Sequence, residues 1–137
     1  KRKPSPTSKK SQTTAGPSRY VSRDGITILV GRNNQQNDQL TFRLTQPNHL
    51  WLHARNIPGS HVAILHEGDV PPETLLQAAS LAAYFSQSRK SPKVPVDYTL
   101  RKHVRKPKGA SPGFVNYDGA KTILVNPTDF SMPKQQL

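Results

Sequence analysis

The chain has 137 residues, with 20 Lys and Arg against 8 Asp and Glu, a formal charge of +12, 13 Pro and no Cys, enough for one domain with a real core and hardly for two. The lack of Cys excludes disulfides, thiolate metal sites and thiol nucleophiles, and fits a reducing compartment. The cationic surplus points to a polyanion, whether nucleic acid, an anionic membrane or an acidic protein, while no apolar run approaches the ~20 residues of a membrane span or forms a secretory signal.

Residues 1–18 carry five basic residues and one apolar side chain, Ala15. So little apolar surface cannot offset ordering entropy, and a disordered basic tail is expected. The folded part is expected over 19–127, with 128–137 a flexible end. Without the five basic residues of the tail, and with every acid kept, about +7 remains.

Residues 19–30 read as a β-hairpin about Asp24-Gly25. Gly31 can end the second strand, and Asn33 or Asn34 can cap a short helix over 35–44 that sets Leu40 and Leu44 on one side. Residues 50–53 and 62–65 read as strands around a Pro58-Gly59 turn. Alternation then puts Leu50 and Leu52 in the core and His49, Trp51 and His53 on the opposite face, a candidate binding surface. Residues 71–87 form the long helix: Pro suits its first turn and Glu73 the positive end of its dipole. Its stripe of Leu75, Ala78, Ala79, Ala82 and Phe85 suits close packing on a sheet. From 94 to 100, Val94, Val96, Tyr98 and Leu100 alternate with polar residues and Pro95, which places this strand at an edge or a bulge. A basic loop punctuated by Gly and Pro follows over 100–113, and 114–125 reads as a second hairpin about Asp118-Gly119. The fold class is α+β: a single domain with a mostly antiparallel sheet, one long helix and one short helix.

Zinc accepts imidazole, and His49, His53 and His61 lie close in sequence. Four residues along a strand, however, set His49 and His53 ~13 Å apart, and no carboxylate accompanies them as in HExxH. No metal and no cofactor is expected. Ser60 and His61 are adjacent, and in an extended segment they point oppositely, which a Ser-His nucleophile cannot use. The acids are unclustered, and neither a P-loop nor GxGxxG occurs. No enzyme is expected.

Polyanion binding fits better. Residues 89–108 hold Arg89, Lys90, Lys93, Arg101, Lys102, Arg105, Lys106 and Lys108 against the single acid Asp97, and such cations neutralise phosphates. Trp51, Tyr98 and the histidines can stack on unpaired bases. Arg32, Asn33, Asn34 and Asn37 can serve phosphate, ribose or base edges. Equally, Trp51 can belong to the core, the asparagines can merely cap a helix, and the charge run can be a solvated loop. The absence of a basic amphipathic helix favours RNA over a membrane.

Asp24-Gly25, Val30-Gly-Arg-Asn33 with Asn37-Asp38, Leu50-Trp-Leu-His53, Pro58-Gly-Ser-His-Val62, Val96-Asp-Tyr-Thr99, Val104-Arg-Lys-Pro-Lys-Gly109, Pro112-Gly113 and Lys121-Thr-Ile123 follow one another along the chain. As a set they resemble the NFACT-R domain, the C-terminal RNA-binding module of the RqcH / fibronectin-binding protein A family. The resemblance covers 19–127 and implies a cytoplasmic role in translation. Members of the family bind the large ribosomal subunit carrying a stalled, tRNA-linked nascent chain and help recruit tRNA for untemplated addition of C-terminal alanine. Some are also known for binding fibronectin. His49 departs from the pattern, since members often carry an acid there. The resemblance implies RNA-binding roles for Arg32, Asn33, Asn37, His53, Gly59, Ser60, His61, Arg101, Lys102, Arg105, Lys106 and Lys108, and the turn between the central strands adds Arg55. The expected partners are tRNA, large-subunit rRNA and the subunit itself, and no membrane. The competing reading is a protein-interaction module with fibronectin or a ribosomal protein as target. Arg32, Arg55, His61 and Lys102 are expected on one side of the domain.

Overall fold

Turn chemistry sets the first pairing. In a computed structural model that describes residues 16–128, β1 (Ser18–Val21) and β2 (Thr27–Val30) pair across a turn where Gly25 takes φ 81°. Glycine adopts that conformation without a Cβ penalty. The basic tail expected over 1–18 lies outside the described residues up to 15, and Ser18 already opens β1, so the fold begins slightly before the expected boundary. Of the expected flexible end, 129–137 also lie outside the described residues.

Asn33, extended at φ −155°, accepts the Gln36 N–H at 2.8 Å with its side chain and so starts α1 (Asn34–Gln39). The helix expected over 35–44 does not stay α-helical. It widens to a π-helix over Leu40–Leu44, and Thr45 Oγ1 donates to the Leu40 carbonyl at 2.6 Å. Leu40 and Thr41 are both buried, whereas Leu44 is exposed, so the two leucines do not share a buried side. Single-turn π insertions of this kind are frequent at functional sites.

β3 (Leu50–Ala54) and β4 (Val62–Ile64) pair antiparallel, with Trp51 opposite Ala63. The connection bends at Asn56, φ 60°, and Gly59 serves another purpose. It forms a bridge to Ser86 beyond the long helix, and a Cβ there would lie 2.9 Å from the Ser86 Cβ. The long helix is α2 (Pro72–Tyr84). Its Ala78, Ala79, Leu81, Ala82 and Ala83 pack on Ile28, Val30, Leu52, Val62, Ile64, Val94 and Val96, while Leu75 and Phe85 are half-buried at the margin.

β5 (Val94–Leu100) runs between β3 and β8 (Lys121–Val125) in a six-stranded antiparallel sheet of order β1-β2-β4-β3-β5-β8. Pro95 therefore does not mark an edge. Its carbonyl accepts the Arg55 N–H at 2.9 Å. The return bond that a proline cannot make falls where β3 has already ended. After a 3-10 turn over Arg101–His103, β6 (Val104–Arg105) pairs with β7 (Asn116–Tyr117) in a separate ribbon. The hairpin expected over 114–125 is thus absent. Gly119 turns the chain at φ 67°, but the two arms join different sheets.

The second face of the main sheet is covered too. Leu29, Leu40, Trp51, Ala63 and Val104 form a second buried cluster, with Phe42, Leu65, Val115 and Tyr117 against it. Trp51 is 0% exposed, so the face of β3 expected to bind ligand is largely core. Its cover comes from the π-helix and from the ribbon strands, segments whose return to this face no local pattern announces. Asp97 and Thr99 are buried as well. The Asp97 carboxylate accepts from the Tyr117 hydroxyl and from Thr122 Oγ1, each at 2.7 Å.

Candidate nucleic-acid interface

The cover over the second face is incomplete. A groove of about 630 Å³ remains between Asn34 and Asn37 of α1, the chain from His53 to His61, and the turn over 111–117. A hollow of about 290 Å³ shares Asn34, Asn37, Pro58 and Gly59 with it and continues to Arg32, Ser60 and Phe85. Gly31 permits this corner, because a Cβ there would collide with the Asn37 side-chain oxygen.

A buried polar relay underlies the groove. Trp51 Nε1 donates to Thr41 Oγ1 at 2.9 Å, and Thr41 Oγ1 lies 2.8 Å from His61 Nδ1. An indole nitrogen can only donate, so Thr41 Oγ1 accepts there; the carbonyl facing Nε2 can only accept, which puts the proton of a neutral imidazole on Nε2 and leaves Nδ1 to take the Thr41 hydroxyl proton. The His61 proton then sits on Nε2 and is donated to the Gly113 carbonyl at 3.1 Å. With neutral histidine each group has one role and all three hydrogen bonds are made. Burial, with His53 beside it, pushes the His61 pKa down to about 3. The His61 backbone N–H donates to Asn37 Oδ1 at 3.0 Å. Burial likewise lowers the His53 pKa, although the Ala54 and Gly59 carbonyls favour its charged form.

These shifts carry a sign. An unfolded histidine titrates near 6.5, so between that value and about 3 the folded chain holds fewer protons at His61 than the unfolded chain does. Stability is complete above the unfolded pKa and is lost as pH falls toward the folded one. His53 acts in the same sense. Urea unfolding at pH 4.5 is expected to show about 2–3 kcal/mol less stability from His61 than at pH 7, and H61Q should flatten that dependence. Equal midpoints at the two pH values would contradict the relay as described.

The turn over 111–113 is held from its other side by Asp38. The Gly113 N–H donates to Asp38 Oδ1 at 2.9 Å, and Lys106 Nζ donates to both carboxylate oxygens at 2.9 and 2.8 Å and to the Ser111 carbonyl at 3.1 Å. Burial alone would raise the Asp38 pKa, but Lys106 and the Gly113 N–H outweigh it and hold the carboxyl below its ordinary value. Gly113 takes φ 86°, and a Cβ there would lie 3.0 Å from Asn34 Oδ1. The next residue, Phe114, is 57% exposed.

Outside the basic loop, the expected site residues divide into three groups. Asn37 and His61 are buried and shape the groove from beneath; Asn33, which caps α1, and buried Ser60 line the adjoining hollow, and Gly59 lines both. His53 is half-buried in the wall, stacked 5.9 Å from Trp51 at an interplanar angle of 5°. Arg32 and Arg55 are exposed. Arg32 lies over the Phe85 ring at 4.3 Å, and Arg55 is near enough for its charge to favour ionisation of Tyr117, whose pKa burial and Asp97 nevertheless raise.

Three of the five basic-loop residues already have partners. Arg101 Nε donates to the Thr41 carbonyl at 2.6 Å and its guanidinium lies 4.9 Å from the centroid of Phe42. Arg105 pairs with Asp118 at 3.1 Å and Lys106 with Asp38. Lys102 and Lys108 are exposed. Arg55 follows the Ala54–Val96 end of the β3–β5 ladder and Lys102 follows the Leu50–Leu100 end, ~17 Å apart by strand rise. The gathering of Arg32, Arg55, His61 and Lys102 on one side is therefore not found: His61 is inside, and Lys102 stands at the far end of the ladder. His49, at the position where an acid was the more usual expectation, accepts the Gln46 N–H on Nδ1 at 3.0 Å.

Sequence reasoning overlooked Asn56, Phe114, Asn116 and Tyr117 as groove residues. An aromatic placed directly after Pro112-Gly113 in a polar stretch was the available signal. Among the described residues no three His, Asp or Glu side chains come together as metal ligands, and no helix is long and apolar enough to cross a membrane.

Residues 17–119 match the family profile described as NFACT protein RNA binding domain. The chain is 50% identical over 108 residues to the Rqc2 homolog RqcH of Bacillus subtilis, covering 79% of this chain and 19% of that protein. It is 52% identical over 114 residues to the Rqc2 homolog RqcH of Streptococcus suis, covering 82% and 21%. The ribosome quality control complex subunit NEMF homolog of Drosophila melanogaster is 32% identical over 69 residues, covering 49% of this chain and 7% of that protein. Among solved structures, the C-terminal part of the fibronectin/fibrinogen-binding protein from Streptococcus suis matches with a TM-score of 0.84 at 47% identity, covering 90% of this chain and 50% of that one. The chain spans about a fifth of the length of the bacterial relatives it matches.

Proposed function

The chain belongs to the NFACT RNA-binding domain family, and on that premise we propose that it is the RNA-contacting domain of a cytoplasmic ribosome quality control factor. It docks on tRNA or large-subunit rRNA of stalled particles while alanine is added to the nascent chain. It binds and positions; it does not catalyse. The observation that supports this reading best is uncompensated charge, at Arg32 and Arg55 beside a preformed groove and at Lys102 and Lys108 in the basic loop. Arg23, Arg105 and Lys106 meet carboxylates, whereas Arg32, Arg55, Lys102 and Lys108 stay exposed without an ion pair among the described residues. Free cations of this kind supply the salt-dependent, backbone-directed part of RNA affinity.

The competing reading is a protein-interaction module. The Streptococcus suis neighbour is named for binding fibronectin and fibrinogen, and a ribosomal protein would be the alternative target. Titration of the chain with tRNA, with rRNA and with fibronectin at matched ionic strength separates the two. Binding to an RNA that weakens steeply with added salt is expected; binding to fibronectin with none to either RNA would overturn the proposal.

A further inference from the structure

We propose that the groove receives a single unpaired nucleotide, its base stacked on Phe114 and its edge met by the amides of Asn34, Asn56 and Asn116. This rests on the RNA reading above and adds the form of RNA: an unstacked base from a single strand or loop, not a duplex.

Phe114 carries the inference. It is the one Phe, Trp or Tyr side chain among the described residues that is more than half exposed, at 57%, and it stands on a turn anchored from several sides. The preceding Gly113 gives its N–H to Asp38 and its carbonyl to His61, and it packs on Asn34. The Phe114 N–H itself closes the turn onto the Ser111 carbonyl at 3.1 Å. An apolar ring exposed on an anchored backbone gains burial energy when a ligand covers it, and little further backbone entropy is lost. Bases offer a flat face of that kind, and stacking platforms of this type hold single strands.

The rest of the lining suits a base. Asn34, Asn56 and Asn116 are exposed and make no side-chain hydrogen bond within the described residues. A primary amide offers two donors and an acceptor, which complements base edges. No Asp or Glu lines the groove. Arg55 flanks it next to Asn56, and Arg32 lies in the adjoining hollow, so phosphates on either side of an inserted base meet cations. A cavity of about 630 Å³ falls in the range that holds ligands of nucleotide size. A-form duplex keeps its bases stacked inside and presents backbone and groove edges instead, which cannot enter such a cleft.

The test uses the full 137-residue chain and a fluorescent, mixed-sequence single-stranded RNA of about 12 nucleotides, beside a hairpin duplex of the same composition. The single strand should bind about tenfold more tightly than the duplex. F114A should weaken single-strand binding about tenfold without moving the melting temperature or duplex binding, and F114Y should restore it. Equal affinity for both RNAs, unchanged by F114A, overturns base insertion and leaves the RNA reading standing. Absence of binding to either RNA overturns both.

Discussion

Replacing Thr41 by valine is expected to lower the unfolding free energy by about 2–4 kcal/mol, because it strands two buried polar atoms at once. Thr41 Oγ1 is the acceptor for Trp51 Nε1 and the donor to His61 Nδ1. Valine has nearly the volume of threonine and differs in lacking the hydroxyl, so the lost hydrogen bonds dominate the result. What remains is the desolvation penalty of an indole N–H and an imidazole nitrogen, in a cluster where Trp51 is 0% and His61 1% exposed. T41S keeps the hydroxyl and should cost about 1 kcal/mol, the scale of a lost methyl. Urea unfolding followed by fluorescence of the single tryptophan makes the comparison directly. A T41V protein as stable as the parent would mean that the relay does not hold the second core together.

Reversing Arg55 and Lys102 together to glutamate is expected to abolish measurable RNA binding, a loss of about 100-fold or more at low salt, with the melting temperature unchanged. Neither side chain has an ion-pair partner to lose among the described residues, and both are exposed. Each phosphate contact removed should also reduce the logarithmic salt slope by about 1. The single variants are informative because the two residues occupy opposite ends of the β3–β5 ladder. R55E should account for most of the loss if the groove is the centre of the site, and K102E for most of it if the RNA lies along the far end. Removing Lys106 should behave differently from both. That lysine is bonded to Asp38 and Ser111, so K106A should lower stability together with binding. Undiminished affinity in the double variant would remove the charged surface from the account.

What the sequence shows and hides follows from the range of the forces involved. The long helix, the first hairpin and an asparagine cap at 33 or 34 are legible because each is written locally, in apolar spacing, a tight-turn pair or a side-chain acceptor just before the helix. The second core is not. Trp51 and His53 alternate with leucines as a half-exposed strand would, and the tryptophan is buried by the π-helix together with the return of 104–117 across that face. Pro95 misleads for a similar reason: it looks like an edge marker until the end of β3 is located opposite it. The hairpin about Asp118-Gly119 fails because turn chemistry specifies a reversal and says nothing of which strands the two arms will join.

The candidate site divides the same way. Pro58-Gly-Ser-His61 stands out in the sequence as a functional motif, yet Gly59 and Ser60 provide close packing, and His61 passes a hydrogen bond to the turn that carries Phe114. Counting charges in 101–108 identifies a basic loop, but it cannot reveal that Asp38, 68 residues before Lys106, has already engaged that lysine. Sequence composition therefore gives the ligand class more readily than the residues that touch it.

The most direct test of the groove as the RNA site is amide chemical-shift mapping of the labelled domain during titration with the single-stranded RNA. The account predicts the largest changes at Asn34, Arg55, Asn56, Gly113, Phe114 and Asn116, with Glu73 and Leu76 on α2 unmoved. Changes concentrated on α2 or along β1, with those six amides still, would contradict it.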